Sequence, residues 1–428
     1  MPTGSPILSR AAYKTAMDPH PKGADLVPRM SRQGYAAAEV ASRMRWMADR
    51  TGASLSHIAL CSIPTESMRG NIENPIGCAQ VPLGVAGPLR VNGEFADGVY
   101  YVPLATTDGA LVRSYERGMV VITRSGGATA RVVVDENCIA PTFCFDGLAD
   151  ACEFARSLSD RFAQLRQLAE STTRHGELLR IEPRVLGRSV DVKFCYNTAD
   201  AHGMNMIMKA TDFASRWLCK HAPVTCCYII TGSCSEKRAG GRALAGGKGK
   251  TVVAEACIPA GWLRTYLRVT PTKMLDMWHR TMVGQVAANV AGYNGHLANG
   301  LTAIFIACGQ DVANVANAAT GVTAFDLTTD GDLYLSVTLP SLTVGTVGGG
   351  TQLGTSLECL QMLACAGDGG ARKFAEIIAA TVLAGELSIG AAIASGEMAK
   401  AHESYGRNRP DEIGLPDRVD AEKVMVKT

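Results

Sequence analysis

The strongest constraint on the fold is a regular switch of hydrophobic period between residues 141 and 231. Segments with strand-like alternation are separated by two segments with helical spacing. The predicted strands cover residues 142–145, 178–186, 189–196 and 224–230. The predicted helices cover residues 148–165 and 204–220. The resulting order, β-α-β-β-α-β, predicts a separate small domain of the ferredoxin-like, split-βαβ type.

The rest of the chain predicts a larger domain that is interrupted by this small one. The chain has 428 residues, 47% of them apolar, which is enough for two or three packed units. We expect the fold class to be α+β, with a large mixed α/β domain and an inserted ferredoxin-like domain. The expected divisions are an N-terminal arm and helix (1–45), the large domain's first part (46–141), the small domain (142–230), the large domain's second part with a glycine-rich loop at 231–251 (231–404), and a C-terminal tail (405–428).

Composition argues against several classes of partner. Net charge is only +2 with no long basic run, so nucleic acid is not an expected partner. The 14 cysteines lack CxxC spacing, which favours free thiols in the cytoplasm over disulfides or a metal site. The first residues lack the apolar core of a signal peptide. Segment 374–398 is apolar but contains three glutamates, so it predicts a buried helix and no membrane anchor.

Two carboxylates follow predicted strands. Residues 301–308 form an apolar, β-rich run that breaks at Gly309 and places Asp311 where a small-residue helix can begin. We expect Asp311 to be buried and therefore paired, although a role only in starting the helix is an equal alternative. Asp108 follows a predicted strand at 98–105 and precedes a helix with Arg113 and Arg117; its ordinary explanation is an N-cap.

Several glycine-rich segments are suited to a backbone that passes close to a ligand. A buried or mobile loop is the alternative for each. Residues 231–251 are glycine-rich and basic and contain Lys237, but the GxxxxGK[ST] spacing fails at Lys250. Residues 345–351, GTVGGGT, do not match GxGxxG. The loop at 200–205 leads into a helix whose N-terminal amides attract phosphate. Arg174 and the terminal His402 are, by spacing alone, more typical of a surface.

Eight segments together resemble class I hydroxymethylglutaryl-CoA reductase in their order and spacing, over residues 55–408. They are ENPIGCAQVPLGVAGPL, ATTDGALVRSYERG, DAHGMNM, the EKR loop, GYNGHLAN, ACGQD, GTVGGGT and the terminal histidine. In that family a small NADP-binding domain is inserted in a larger acyl-CoA-binding domain. The resemblance implies a homodimer or homotetramer with active sites between subunits.

The resemblance also implies roles for individual residues. Lys237 would polarise the thioester and then the aldehyde carbonyl, Asp311 would tune its charge, Asp108 would be the nearby acid, and His402 would protonate the departing thiolate. The implied cofactor residues are Arg174, Asp200, Met204, Asn205, Gly345, Thr346, Gly348 and Gly349. The implied substrate-binding residues are Glu73, Asn74, Arg117, Ile139, Ser233, Arg238, His296 and Asn299.

The chain departs from the family pattern around the acyl group. Asp108 stands where the family has glutamate, and Ile139 stands where it has an arginine for the substrate's free carboxylate. Arg238 follows Lys237 where a lysine is usual, and it is a candidate replacement for the missing arginine. Asn408 occupies the place of a regulatory serine in animal members, so phosphorylation there is not expected.

The expected activity is NADPH-dependent reduction of 3-hydroxy-3-methylglutaryl-CoA to mevalonate and CoA by two hydride transfers. One alternative is a diverged NADPH oxidoreductase that acts on another acyl thioester or aldehyde, which Ile139 favours. The other is a non-catalytic homologue that pairs with a true reductase. Retention of Lys237, Asp311 and His402 argues against this last alternative.

Overall fold

The computed structural model describes residues 26–29 and 34–398, and the chain divides into two units, Met1–Gln80 and Val81–Thr428. The helices are α1 (Ala37–Thr51), α2 (Ser56–Ala59), α3 (Leu111–Arg124), α4 (Leu148–Ser157), α5 (Phe162–Glu170), α6 (Met204–His221), α7 (Gly241–Leu244), α8 (Ala260–Trp262), α9 (Pro271–Ala287), α10 (Leu297–Ala307), α11 (Val315–Ala318), α12 (Gly354–Met362) and α13 (Gly370–Ser395). The strands are β1 (Leu83–Gly93), β2 (Asp97–Ala105), β3 (Ala128–Ile139), β4 (Thr142–Cys144), β5 (Glu177–Leu186), β6 (Ser189–Asn197), β7 (Cys226–Tyr228), β8 (Gly249–Ile258), β9 (Val322–Leu327) and β10 (Leu333–Leu342).

The first unit contains the helix expected near the N-terminus and corrects two expectations. Helix α1 runs through residue 45, so the division placed there cuts a continuous helix. A disulfide joins Cys61 to Cys78, so the expectation of free thiols throughout was wrong for this pair. The amide of Cys78 donates to the carbonyl of Ile58 at 3.2 Å, which brings the two segments together.

The second unit contains a six-strand arrangement in the order β2-β1-β3-β8-β10-β9. Only the β1–β3 contact is parallel; the other neighbours are antiparallel. Helices α3, α10 and α13 contribute buried side chains to the main hydrophobic cluster together with these strands. This arrangement is the large mixed α/β part of the expected fold.

A second sheet, β7-β4-β6-β5, is antiparallel throughout and has its own hydrophobic cluster with α4, α5 and α6. The predicted order β-α-β-β-α-β is confirmed, and so is the α+β class. The first predicted helix is divided into α4 and α5 by a break at residues 158–161. Strand β3 joins the two sheets: its residues 129–136 pair with β8, and residues 137–139 pair with β6.

The strand predicted at residues 301–308 is wrong, because this run lies in helix α10. Within residues 301–307 of the helix, apolar and β-branched side chains lie on every face, so this run lacks the polar stripe of an amphipathic helix. Leu301, Ile304 and Phe305 are all buried in the large cluster. A short apolar run of this kind can form either element, and residues 301–307 form part of the helix.

The buried helix predicted at residues 374–398 is confirmed as α13. Of the described residues, only this helix is long and apolar enough to cross a membrane, and 78% of its apolar window is buried within the protein. Its two glutamates are buried but hydrogen-bonded. Glu376 accepts from the amides of Glu94, Phe95 and Ala96 at 2.7–3.1 Å, and Glu386 accepts from Gly295 and His296.

Replacing Glu376 should therefore destabilise the large domain by more than the loss of the side chain's own packing, because three backbone amides lose their acceptor. Glu376→Ala leaves three amides at the β1–β2 turn without their carboxylate, and we expect a loss of about 2–4 kcal/mol in the free energy of unfolding. Glu376→Gln, which keeps one acceptor oxygen, should lose less. Urea unfolding followed by circular dichroism measures both, with the exposed Glu358→Ala as control. Equal stability of Glu376→Ala and Glu358→Ala would contradict this account.

Candidate active site

The predicted catalytic lysine is paired with the predicted carboxylate. Lys237 Nζ lies 2.7 Å from Asp311 Oδ2, although the residues are far apart in the chain. The glycine-rich loop turns sharply at Lys237, whose φ is +56°. The amide of Lys237 donates to the Oδ1 of Asn317 at 3.1 Å, and the buried Asn317 amide donates to Ser341 O at 2.8 Å. The backbone of the lysine is thus held by a buried side chain.

The Lys237–Asp311 pair is accessible to solvent. The side chains are 44% and 38% exposed, so the expectation that Asp311 is buried was wrong. Asp311 lies at the surface where a single 3₁₀ turn, Val312–Asn314, begins, and it accepts from the amide of Ala313. It therefore both starts a helical turn and forms an ion pair. The hydrogen bond with Asp311 raises the pKa of Lys237 above its ordinary value, so the amine is charged at neutral pH.

Two predicted cofactor segments, the loop at 200–205 and the GTVGGGT turn at 345–351, lie side by side. The carbonyl of Asp200 accepts from the amides of Thr346 and Val347 at 2.8 and 3.2 Å. The Asp200 carboxylate accepts from Gly369 and Ala371 at the N-terminus of α13. The structure therefore gives this side chain a helix-capping contact, which the sequence did not indicate.

Glycine is required in the GTVGGGT turn for two different reasons. A Cβ on Gly345 would lie 2.5 Å from the amide nitrogen of His202, so backbone packing excludes a side chain there. Gly348 and Gly349 have φ of +78° and +57°, and nothing lies within 4 Å of where their Cβ atoms would be. The turn is thus packed at one end and open at the other. Thr346 is buried, and its hydroxyl donates to Gly367 O.

Helix α6 begins beside these loops, and among the described residues neither its first backbone amides nor the neighbouring His202 Nε2 has a side-chain partner. Its N-cap is Gly203, which supplies no side-chain cap to the first amides. In the part of the chain that the structure describes, the buried Nε2 of His202 has no hydrogen-bond partner. Burial lowers the pKa of His202 to about 4. Met204 is buried in the first turn of α6, and Asn205 is exposed beside it.

Lys248 is a buried lysine in this region that the sequence pattern did not indicate as a site residue. Its Nζ donates to the carbonyl of Cys138 at 2.8 Å, contacts Met204 Sδ at 2.9 Å and lies 3.5 Å from Glu236. The signal available was a lysine that immediately precedes a strand within a glycine-rich stretch.

The GTVGGGT turn adjoins the Lys237–Asp311 pair. Gln310, next to Asp311, accepts through Oε1 from the amide of Gly345 at 2.9 Å. The backbones of Gly309 and Gly350 are also so close that a Cβ on Gly309 would lie 2.4 Å from Gly350 O. The charged lysine therefore lies beside a glycine-lined surface with uncapped helix amides.

A separate cavity of ≈ 640 Å³, named here the Asp108 pocket, contains several predicted site residues. Its lining includes Asp108, Arg117, His296 and Asn299. The amide of Asn299 donates to Asp108 Oδ2 at 3.1 Å. The N-cap explanation of Asp108 was wrong, because α3 begins after Ala110, and no side chain caps it.

Two polar side chains of the Asp108 pocket are held by helix α13. Arg117 donates to the hydroxyl and carbonyl of Ser388 at 3.1 and 2.7 Å, and burial lowers its pKa below the ordinary value. His296 Nδ1 lies 3.0 Å from the buried Glu386. The ring of His296 also packs on Tyr115, 5.3 Å between centroids. These contacts fix the orientation of two groups that can bind anionic or carbonyl oxygens.

Other predicted residues lie elsewhere. Ile139 is 4% exposed and packs in the core of the small sheet, so the structure does not place it on a substrate surface. Ser233 donates to Asp191, and Arg238 is exposed against Gly232 of its own loop. Arg174 is exposed in the small domain.

The remaining predicted positions belong to the first unit or to the chain's end. Glu73 and Asn74 lie in the first unit, where Asn74 has a φ of +50°. His402 and Asn408 lie outside the described residues. Within residues 34–398, no hydrogen bond or ion pair joins Asp108 to Lys237.

Comparison with known proteins identifies the family. The family model described as hydroxymethylglutaryl-coenzyme A reductase matches residues 39–407. The 3-hydroxy-3-methylglutaryl-coenzyme A reductase of Methanocaldococcus jannaschii is 43% identical over 373 residues, which cover 85% of this chain and 92% of the relative. The enzyme of the same name from Aeropyrum pernix is 43% identical over 389 residues, with 89% and 92% covered.

Solved structures show the same fold. The class II 3-hydroxy-3-methylglutaryl-CoA reductase of Streptococcus pneumoniae, bound to NADPH in open conformations, has a TM-score of 0.62 and 21% identity, with 75% of this chain and 78% of that chain covered. At this identity the likeness concerns the fold alone. The extent of the family match and the identity to the archaeal relatives show that this chain belongs to the hydroxymethylglutaryl-coenzyme A reductase family.

The low pKa of His202 predicts a specific pH dependence. Between pH 6.5 and about 4 the unfolded chain binds a proton at His202 that the folded protein does not, so stability falls as the pH falls. His202→Gln should reduce this slope by up to about 1.4 kcal/mol per pH unit. Urea unfolding across the window measures it, with the exposed His175→Gln as control. Parallel curves for wild type and His202→Gln would contradict a buried neutral histidine.

Proposed function

We propose that this protein reduces 3-hydroxy-3-methylglutaryl-CoA to mevalonate and CoA by two hydride transfers from NADPH. The observation that carries the proposal is the 2.7 Å Lys237–Asp311 pair beside the two glycine-containing cofactor segments. Family membership and the names of the archaeal relatives support the same reaction.

Lys237 has the properties needed to stabilise a carbonyl oxygen that becomes negative. Asp311 keeps the amine protonated, and the partial exposure of the pair leaves amine hydrogens free for a substrate oxygen. A charged donor at such an oxygen stabilises the transition state more than the ground state. Lys237 would hold first the thioester and then the aldehyde oxygen, while Asp311 maintains its charge.

Asp108 would be the proton-transferring acid near the same oxygen, with Asn299 holding its carboxylate. The aspartate is one methylene shorter than the family's glutamate, so its reach to the substrate depends on backbone position or on an intervening water. His402 would protonate the departing CoA thiolate.

The residues around Gly348 fit a dinucleotide. The open space at Gly348 and Gly349 admits a ligand against the backbone, and the uncapped amides of α6 can donate to phosphate. The unpartnered Nε2 of His202 provides one further polar group in the same region. When bound, NADPH supplies the hydride. The residues that would hold it are Arg174, Asp200, Met204, Asn205, Gly345, Thr346, Gly348 and Gly349, with Asp200 acting through the backbone bonds that join the two segments.

The Asp108 pocket is suited to the acyl-CoA. Arg117 and His296 offer fixed donors on one wall, and Asn299 and Asp108 lie on the same cavity. We propose that Arg238 supplies the cation for the substrate's free carboxylate, because Ile139 cannot. Ser233, Glu73 and Asn74 complete the proposed set of substrate contacts.

The proposed assembly is a cytoplasmic homodimer or homotetramer whose active sites lie between subunits, with neither nucleic acid nor a membrane as partner. Neither Lys237 nor Asp311 is among the residues that line the Asp108 pocket, which supports this arrangement. Each chain would then contribute one part to each of two sites.

Removal of Lys237 tests the proposed chemistry. Lys237→Ala should lower kcat by about 10²–10³, because a charged donor to the developing oxyanion is lost, while NADPH still binds. NADPH oxidation at saturating substrate measures the rate, and nucleotide fluorescence measures binding. Lys220→Ala, which changes an exposed lysine of α6, should behave as wild type. Undiminished turnover in Lys237→Ala would refute the role.

Co-expression of two inactive variants tests the shared site. Hybrids of Asp108→Ala with Lys237→Ala contain one intact site if the two residues come from different subunits, so about one quarter of wild-type activity should return in a random dimer mixture. Hybrids of Lys237→Ala with Asp311→Ala should stay inactive, because these residues pair within one chain. No recovery in the first mixture would show that the site belongs to a single chain.

A further inference from the structure

The loop that carries Lys237 covers the polar face of the small sheet. Along β6, Val190, Val192 and Phe194 point into the hydrophobic cluster, so Asp191, Lys193 and Cys195 lie on the opposite face. Ser233 donates to Asp191, and a Cβ on Gly247 would lie 2.7 Å from Lys193 Nζ. One end of the loop is therefore hydrogen-bonded to the sheet, and the other end packs closely against it.

Between these two attachments, two cysteine sulfurs face each other. Cys138 of β3 donates its thiol to Cys234 of the loop, with a distance of 3.1 Å between the two Sγ atoms. They form a small buried cluster with Ala140 and Cys195, and Cys138 and Cys234 are only 1% and 8% exposed. A disulfide needs an Sγ–Sγ distance of about 2.05 Å, so an approach of about 1 Å would join them.

The surroundings favour a thiolate on Cys234. The hydrogen bond from Cys138 lowers the pKa of Cys234, and the same bond together with burial raises the pKa of Cys138. Lys248, whose Nζ donates to the carbonyl of Cys138, adds a nearby positive charge that favours the thiolate. Cys234 is thus the cysteine that would attack an oxidant, and Cys138 is placed to attack the sulfenic acid that results.

We propose that Cys138 and Cys234 are a peroxide-sensitive thiol pair that closes to an intrachain disulfide and fixes the Lys237 loop to β3. The Cys234 thiolate attacks one peroxide oxygen and breaks the O–O bond, giving a sulfenic acid and hydroxide, which takes up a proton to become water. The Cys138 sulfur then attacks the sulfenic sulfur, the S–O bond breaks, and the hydroxyl leaves as water with the thiol proton. Two thiols are oxidised and one peroxide is reduced to two waters.

The consequence for catalysis rests on the proposed function. Lys237 is three residues after Cys234. The Sγ–Sγ distance must shorten by about 1 Å for the disulfide to form, which draws the loop towards β3. A misplacement of this size at a catalytic group can cost about 10²-fold in rate. Oxidation should therefore lower turnover by at least about tenfold, and a dithiol reductant should restore it.

The experiment compares reduced and peroxide-treated full-length protein by peptide mapping without reductant, by NADPH turnover and by trypsin cleavage after Lys237 and Arg238. We expect a Cys138–Cys234 cross-linked peptide, slower cleavage of the loop, and a loss of turnover that dithiothreitol reverses. Cys138→Thr and Cys234→Ser should keep their turnover and loop cleavage after peroxide. Cys226→Ser should respond as wild type. It removes an exposed free thiol of β7 that lies opposite Cys144 of β4.

Failure of this inference can be separated from failure of the proposed function. If the reduced protein does not turn over the substrate, the proposed function fails, but the cross-linked peptide and the trypsin cleavage still report on the thiol pair. Absence of the cross-link, unchanged loop cleavage after it forms, or equal inactivation of Cys138→Thr would each overturn the inference.

Discussion

Strand β3 imposes the constraint on which the site depends, because one continuous strand belongs to both sheets. Residues 129–136 pair with β8, and residues 137–139 continue into a pairing with β6. Successive side chains of a strand point to opposite faces. Ile139 must therefore enter the small core while Cys138 faces the glycine-rich loop, and the carbonyl of Cys138 holds Lys248. The position of the Lys237 loop follows from this register.

Helix α13 connects the regions that would otherwise be independent loops. Its N-terminal amides donate to Asp200 of the loop at 200–205, and its two buried glutamates accept from the β1–β2 turn and from the segment at His296. Buried carboxylates are tolerated because each accepts backbone amides. A single buried helix thus contacts both the loop at 200–205 and one wall of the Asp108 pocket.

Sequence reasoning succeeded where an element has two chemically different faces. The small domain was predictable because its helices and strands alternate between core and surface, and the structure confirms its order of elements. Helix α10 was mistaken for a strand because it is apolar all round and gives no periodic signal. Asp311 was expected to be buried because its neighbours are apolar, but exposure depends on what packs over a turn, and that is not encoded locally.

The long-range partners could not be predicted from periodicity. Lys237 and Asp311 were linked only through resemblance to a family, which the comparisons confirm. The contact between Cys138 and Cys234 spans 96 residues and had no signal in the sequence. The roles of individual residues in catalysis remain predictions, and the geometry supports those of Lys237 and Asp311 most directly.

In the proposed reaction, this site carries one thioester through two successive reductions. The most direct measurement is the ratio of NADPH oxidised to CoA thiol released by the purified protein with 3-hydroxy-3-methylglutaryl-CoA. We expect about two NADPH per thiol, with mevalonate as the product, because each hydride would reduce a carbonyl held by Lys237. A ratio of about one with free aldehyde, or thiol release without NADPH oxidation, would contradict it.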